Sequence, residues 1–201
     1  TVSLSIEMGA GWNWFSVNVA GDDMSPNAVL ATLDPELNDI VKDQNNFAQY
    51  YGAEYGWVGA LAQIDPTSMY MISTSNSGTL EFAGVPVSPA ATPISIGAGW
   101  NWIGYLPQSD IGTNDALETV LADVNDIVKD QNLFATYYGE EYGWVGALGS
   151  MSPGKGYMLS VSYDSDLIYP NGSSGMARMV TELEEAKILP ATISSWAVNP
   201  R

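Results

Sequence analysis

Residues 38 to 61, NDIVKDQNNFAQYYGAEYGWVGAL, recur as residues 125 to 148, NDIVKDQNLFATYYGEEYGWVGAL, identical at 21 of 24 positions with a constant offset of 87. So long a self-match constrains the chain more than any local motif, because it implies one structural unit built twice. The match extends in both directions. Gly9-Ala-Gly-Trp-Asn-Trp14 returns as Gly97-Ala-Gly-Trp-Asn-Trp102, Pro66 to Met71 (PTSMYM) aligns with Pro153 to Met158 (PGKGYM), and Leu80 with Phe82 falls on Leu167 with Tyr169. These matches divide the chain into a first repeat at 1–88, a second at 94–170, and a Pro/Ala/Thr linker from Ser88 to Pro93. The two copies are expected to adopt the same backbone around a shared contact, giving approximate twofold symmetry.

Within a repeat the pattern is mostly β. Leu4 and Ile6 alternate with Ser, Ile94-Ser-Ile96 does the same, and Trp12, Trp14, Val17 and Val19 follow a Gly-Ala-Gly turn as a second extended run. Ile40-Val41, Phe47 to Tyr51, Trp57 to Leu61, Met69 to Ile72 and Thr79 to Phe82 are further strands, separated by Gly, Asn, Asp and Pro. Ser25-Pro26, followed by Ala28-Val29-Leu30 and Leu33, predicts an N-capped short amphipathic helix, and Thr113 with Ala116, Leu117, Val120 and Leu121 predicts its counterpart. The expected fold is therefore mainly β, with a minor α+β character: two tandem homologous antiparallel units of five to seven strands, each carrying one short helix, plus a C-terminal arm.

The arm is 171–201. It is net neutral, whereas 1–93 holds ten acids and Lys42, and 94–170 holds ten acids with Lys129 and Lys155. After Asn171-Gly-Ser-Ser-Gly175, the residues Met176, Met179, Val180, Leu183, Ile188 and Leu189 keep helical spacing up to Pro190, and Ile193, Trp196 and Val198 follow as an extended apolar tip. A hinge, an amphipathic helix too short to be stable alone and an apolar tip call for a surface to cover them. Met179, Leu183, Ile193, Trp196 and Val198 are therefore the candidate assembly contacts, with Lys42 and Lys129 from the body.

Composition removes most conventional chemistry. With no His and no Cys there is no Ser-His-Asp triad, no thiol nucleophile, no disulfide and no imidazole or thiolate metal site. A net charge of −17 excludes nucleic acid and disfavours an anionic membrane as partners. No apolar run is long enough for a membrane helix, and Thr1 to Ser5 lack the basic and apolar regions of a targeting peptide. Walker, dinucleotide-binding and zinc motifs are missing, so no cofactor is expected.

Carboxylates remain. Asp22-Asp23, Asp39 with Asp43, Glu140-Glu141 and Asp164 with Asp166 supply the pairs a glycosidase would need, yet solvated loop acids explain them more simply, so no catalytic residue is assigned. Asp164-Ser-Asp166 carries part of a calcium loop and lacks the rest. Trp12, Trp14, Trp57, Trp100, Trp102 and Trp144 are either core or stacking platforms for sugars, and core is expected because units this small need large apolar groups. Tyr50-Tyr51 and Tyr137-Tyr138 should each send one ring outward. Lys42 and Lys129, each within Asp-Ile-Val-Lys-Asp-Gln, read as weak surface ion pairs.

The Gly-Trp-Asn-Trp opening, the Asn-Asp-Ile-Val-Lys-Asp-Gln-Asn…Phe-Ala-Thr-Tyr-Tyr centre and the Pro-Gly-Lys-Gly-Tyr-Met close resemble a tandem repeat of bacterial surface proteins and marine algae. With its two repeats and C-terminal arm, the chain most resembles the pyrenoid shell proteins of diatoms. That resemblance implies a non-enzymatic structural protein that self-assembles into a sheet or shell around Rubisco, in the pyrenoid of the chloroplast stroma. It also implies a homo-oligomeric lattice with Rubisco matrix components as further partners. The alternative is an extracellular or cell-surface carbohydrate-binding or adhesion module that binds glycans. The first repeat departs from the closing motif, with Thr67-Ser-Met69 in place of Gly154-Lys-Gly156.

Overall fold

The computed structural model describes residues 1–171. The helix and tip expected over 176–198, with Met179, Leu183, Ile193, Trp196 and Val198, lie outside the described residues. In chain order the strands of the first half are β1 (Val2–Met8), β2 (Gly11–Phe15), β3 (Val19–Ala20), β4 (Ile40–Lys42), β5 (Phe47–Tyr50), β6 (Trp57–Gly59), β7 (Tyr70–Thr74) and β8 (Gly78–Pro86). The second half contains β9 (Ile94–Ile96), β10 (Gly99–Ile103), β11 (Ile111–Gly112), β12 (Ile127–Lys129), β13 (Phe134–Tyr137), β14 (Trp144–Gly146), β15 (Ser150–Met151), β16 (Tyr157–Val161) and β17 (Ser165–Leu167). Each half has a single-turn helix, α1 (Pro26–Val29) and α2 (Thr113–Ala116). The protein is mainly β, and its strand pairs are antiparallel.

Two five-stranded sheets dominate, ordered β2-β7-β4-β5-β6 and β10-β16-β12-β13-β14. The same residue pattern builds both. Asn13 closes the turn before β2 by accepting from Gly9 N–H and donating to the carbonyls of Gly9 and Gly11, and Asn101 does likewise before β10. Gly11 and Gly99 sit at φ 93° and 98°, a backbone that glycine adopts without a Cβ penalty. The hairpin between β4 and β5 is pinned by Asp43 Oδ1, which accepts from Asn45 and Asn46 N–H; Asp130 does the same for Asn132 and Leu133.

Alternation then selects the buried side. Tyr70, Ile72 and Thr74 of β7 point inward with Val41, Ala48, Trp57 and Phe15, and this cluster is completed by Leu30, Ile64 and Leu80. A second cluster gathers Ile103, Tyr105, Val128, Trp144, Tyr157, Leu159 and Tyr169. Two cores rather than one follow from two sheets, each with a single buried face.

Three expectations are corrected by the fold. Trp12 and Trp14 do face one side, but it is the outer side: Trp12 is 49% exposed and Trp100 47% exposed, while Trp14 and Trp102 are half-buried. Phe15 takes the inward register position at the end of β2, so pleat alternation turns both tryptophans away from the core. Among the described residues only the tryptophans Trp57 and Trp144 are buried, packed on Tyr50 and Tyr137 at ring-centroid distances of 5.5 and 5.4 Å. Second, the helices are single turns. Ser25 caps α1 by accepting from Ala28 N–H, whereas Thr113 lies inside α2 and spends its hydroxyl on Leu148 O, so the capping is not repeated. Third, β2 ends at Phe15, because Ser16 and Asn18 are recruited into contacts with the other half.

Candidate functional site

The outer edges of β2 and β10 carry the groups that distinguish this chain. Each edge pairs with a segment of the opposite half, β2 with the one preceding β16 and β10 with the one preceding β7: Phe15 bridges Lys155, and Ser68 bridges Ile103. Ser16 N–H donates to Gly154 O at 3.2 Å and Gly104 N–H to Thr67 O at 2.9 Å. Ser16 Oγ donates to Lys155 O and accepts from Tyr105 N–H, while Asn18 Nδ2 donates to Pro107 O. These bonds form a seam between residues 1–93 and 94–171.

Glutamines clasp the seam from outside. Gln131 Oε1 accepts from the backbone N–H of Trp14 at 2.9 Å, and its Nε2 donates to Trp12 O at 2.8 Å. Gln44 makes the converse pair, accepting from Trp102 N–H at 3.0 Å and donating to Trp100 O at 2.9 Å. A primary amide has the same donor and acceptor as a peptide group, so each glutamine continues the ladder beyond an edge strand that would otherwise end unpaired. Sequence reasoning passed over both; their retention in matching positions beside Asp43 and Asp130 was the available signal. Replacing both by alanine removes four hydrogen bonds at an exposed site, each worth about 0.5 kcal/mol at the low end of the usual range. Gln44→Ala/Gln131→Ala is expected to lower the melting temperature by roughly 4–8 °C, measured by circular dichroism, with each single variant giving about half. An unchanged melting temperature would mean that water replaces the clasp without loss.

Lys42 and Lys129 lie beside these clasps, and among the described residues neither forms the surface ion pair expected of it. Lys42 Nζ is 5.4 Å from the Trp12 ring centroid and 5.5 Å from that of Trp102; Lys129 Nζ is 5.0 Å from Trp100 and 5.5 Å from Trp14. Each ammonium therefore contacts one ring from its own half and one from the other, an attraction of about 0.5–1 kcal/mol per exposed contact. The carboxylate next to Lys129 is spent elsewhere: Asp130 pairs with Lys155 at 3.5 Å.

Because these contacts cross the seam, the outward faces of the two sheets adjoin. One register row runs Trp14, Met71, Lys42, Phe47, and the next Trp12, Ser73, Ile40, Gln49, Val58. The second sheet gives Trp102, Met158, Lys129, Phe134 and Trp100, Ser160, Ile127, Thr136, Val145. None of these outward positions is acidic on a chain with 23 carboxylates. Phe47, Val58, Phe134 and Val145 are about half exposed, and Tyr51 and Tyr138, the outward members of their pairs, extend the apolar area.

The carboxylate pairs are distributed differently. Asp39 is buried and saturated, accepting from Ser75 N–H, Ser75 Oγ and Glu36 N–H, and Asp126 repeats this with Ser162 and Asp123. Asp164 accepts from Ala98 N–H and Asp166 from Ser95 Oγ, which ties β17 to β9. Asp23 accepts from Ser25 N–H, and that hydrogen bond holds its carboxyl below the usual range. Each of these acids shapes a turn or joins two strands. A groove of about 430 Å³ along the seam is lined by Glu7, Asn13, Trp14, Asp130, Gln131 and Lys155, and a shallower one of about 210 Å³ by Gln44, Thr67, Asn101 and Trp102. Compared with protein-family models, curated proteins and solved structures, the chain matches none.

Proposed function

We propose that this chain is a non-enzymatic structural protein whose copies associate into a sheet or shell, as its resemblance to diatom pyrenoid shell proteins implies, with the chloroplast stroma and the Rubisco condensate as its setting. The observation that carries this reading is the acid-free, aromatic outer face present on both sheets. A chain of net charge −17 repels its own copies, and a patch cleared of carboxylates is where that repulsion is weakest and apolar contact strongest. The six exposed outer side chains Trp12, Trp100, Phe47, Phe134, Val58 and Val145 offer on the order of 600 Å², close to the ~800 Å² per partner of a standard interface. The matching strand orders and reciprocal clasps further support two tandem homologous units, 1–88 and 94–170, related by an approximate twofold axis. This joint outer face and a separate arm at 171–201 give a copy two different contacts, as an open array requires.

A carbohydrate-binding surface module is the second reading, favoured by the amides and acids beside Trp14 in the larger groove. It is weakened by the lysines, which already occupy the space against all four outer tryptophan rings. Sedimentation and negative-stain microscopy of the purified chain decide between them. Sheets or tubes, more abundant as salt screens the charge, are expected from the wild type and are expected to vanish in Phe47→Asp/Phe134→Asp, whose monomer stays folded because both rings are solvent-facing. Truncation after residue 171 is expected to abolish arrays as well. A monodisperse wild type that binds glycans would replace the shell reading, and arrays that persist in the aspartate variant would remove the outer face from it.

A further inference from the structure

The seam brings matching positions face to face at one place where the repeats differ. Met69 and Gly156 occupy the same position of the repeat, 87 residues apart. Met69 is fully buried, and a Cβ placed on Gly156 would come within 2.9 Å of Met69 Cβ and of Phe15 O. A second matched pair also differs, though its members do not face each other: Ser16 donates its hydroxyl to Lys155 O, whereas a Cβ on Gly104 would run into Pro66 O. In both pairs the first half carries the side chain and the second half carries glycine. The surrounding clasps use Gln, Trp and Lys, which both halves possess.

Pairing between two first halves would therefore force two methionines into the space of one, and pairing between two second halves would leave that space empty. Overpacking and cavities each destabilise a packed interface. We propose that Met69 and Gly156 act as knob and hole, so that each half accepts only a half of the other kind, and that a second copy of this chain can supply it: copies join by exchanging halves across residues 88–93. The exchanged seam has the same contacts as the internal one. Only the tether differs, and its advantage is an effective concentration of roughly millimolar order, which crowded copies can match. The connection is suited to opening, since Ser88, Ala90, Ala91 and Pro93 are exposed. This inference rests on the self-assembling reading and names one means by which copies are linked.

Two full-length variants test it, each made with a different affinity tag. Met69→Gly has a hole on both sides of its seam, and Gly156→Met a knob on both sides. Refolded together, they can satisfy both seams only by exchanging halves, so an equimolar heterodimer that melts above either variant alone is expected by native mass spectrometry and calorimetry. Variants that remain separate after joint refolding would overturn the proposal. Should Gly156→Met fail to fold alone, its recovery in the mixture is the expected result. The chain carrying both substitutions is expected to melt above Gly156→Met, since removing the Met69 side chain clears one of the atoms the new side chain would meet and leaves Phe15 O in place; a double variant no better than the worse single would also overturn it. Arrays of the wild type without any heterodimer would reject exchange and leave the shell reading intact, whereas a heterodimer without wild-type arrays would do the reverse.

Discussion

Raised from neutral pH, the folded chain is expected to hold its stability to about pH 10 and then to unfold over a narrow interval. Four tyrosines cause this. Tyr70, Tyr105, Tyr157 and Tyr169 are fully buried, and burial penalises the phenolate: the Tyr70 hydroxyl is pushed up to about 12, and those of Tyr105, Tyr157 and Tyr169 are likewise raised. In the unfolded chain they titrate near 10. Below that pH both states keep the protons and stability does not change from this source. Above it the unfolded state has released protons that the folded state retains, so stability falls as pH rises through the window between the two values. Each tyrosine contributes about 1.4 kcal/mol per pH unit, and four acting together approach the ~5–15 kcal/mol total of an ordinary domain within a few units. The part of the tyrosinate absorbance that comes from the four buried rings should appear cooperatively, together with the loss of near-ultraviolet circular dichroism. Tyr169→Phe is expected to make the alkaline transition shallower by one proton, while losing its bond to Gly104 O. Tyrosinate absorbance accounting for all eleven tyrosines with the tertiary signal still intact would contradict this account.

Gly104→Ala is expected to be among the most damaging single-methyl additions on the molecule. The new Cβ would meet the backbone carbonyl of Pro66, which cannot swing aside like a side chain, and relief requires the two halves to separate at the seam. That separation would stretch the Gly104 N–H bond to Thr67 O. A loss of about 3 kcal/mol or more is expected, equivalent to a fall of roughly 6–12 °C in melting temperature for a chain of this size. Gly97→Ala is the matched control: its Cβ meets no atom within 4 Å, and its expected effect is within about 0.5 kcal/mol. Equal melting temperatures for the two variants would show that the seam is looser than its contacts indicate.

Much of the local structure was legible from the chain alone because it depends on neighbours in sequence. The duplication, the alternating strands, the Gly-Ala-Gly turns before Trp12 and Trp100 and the proline at the start of α1 all arise from short-range geometry. Even the shared orientation of Trp12 and Trp14 follows from a period of two. Which side they share does not, because a strand has two faces and only packing against Tyr70 and Leu80 assigns one of them to the core. Phe15 won that contest, and the tryptophans became an outer surface. Gln44 and Gln131 were invisible for the same reason: a glutamine in a turn is unremarkable until a tertiary neighbour presents an edge strand to its amide. Lys42, read as the partner of an adjacent aspartate, instead lies between Trp12 and Trp102, whose approach depends on contacts 60 residues away in sequence. The departure at Thr67 to Met69 could be seen as a difference between repeats, but only the seam explains it, by placing Met69 against Gly156. Sequence periodicity determines what each segment can be, while the faces, the clasps and the contact of Met69 with Gly156 come from packing residues 1–93 against 94–171.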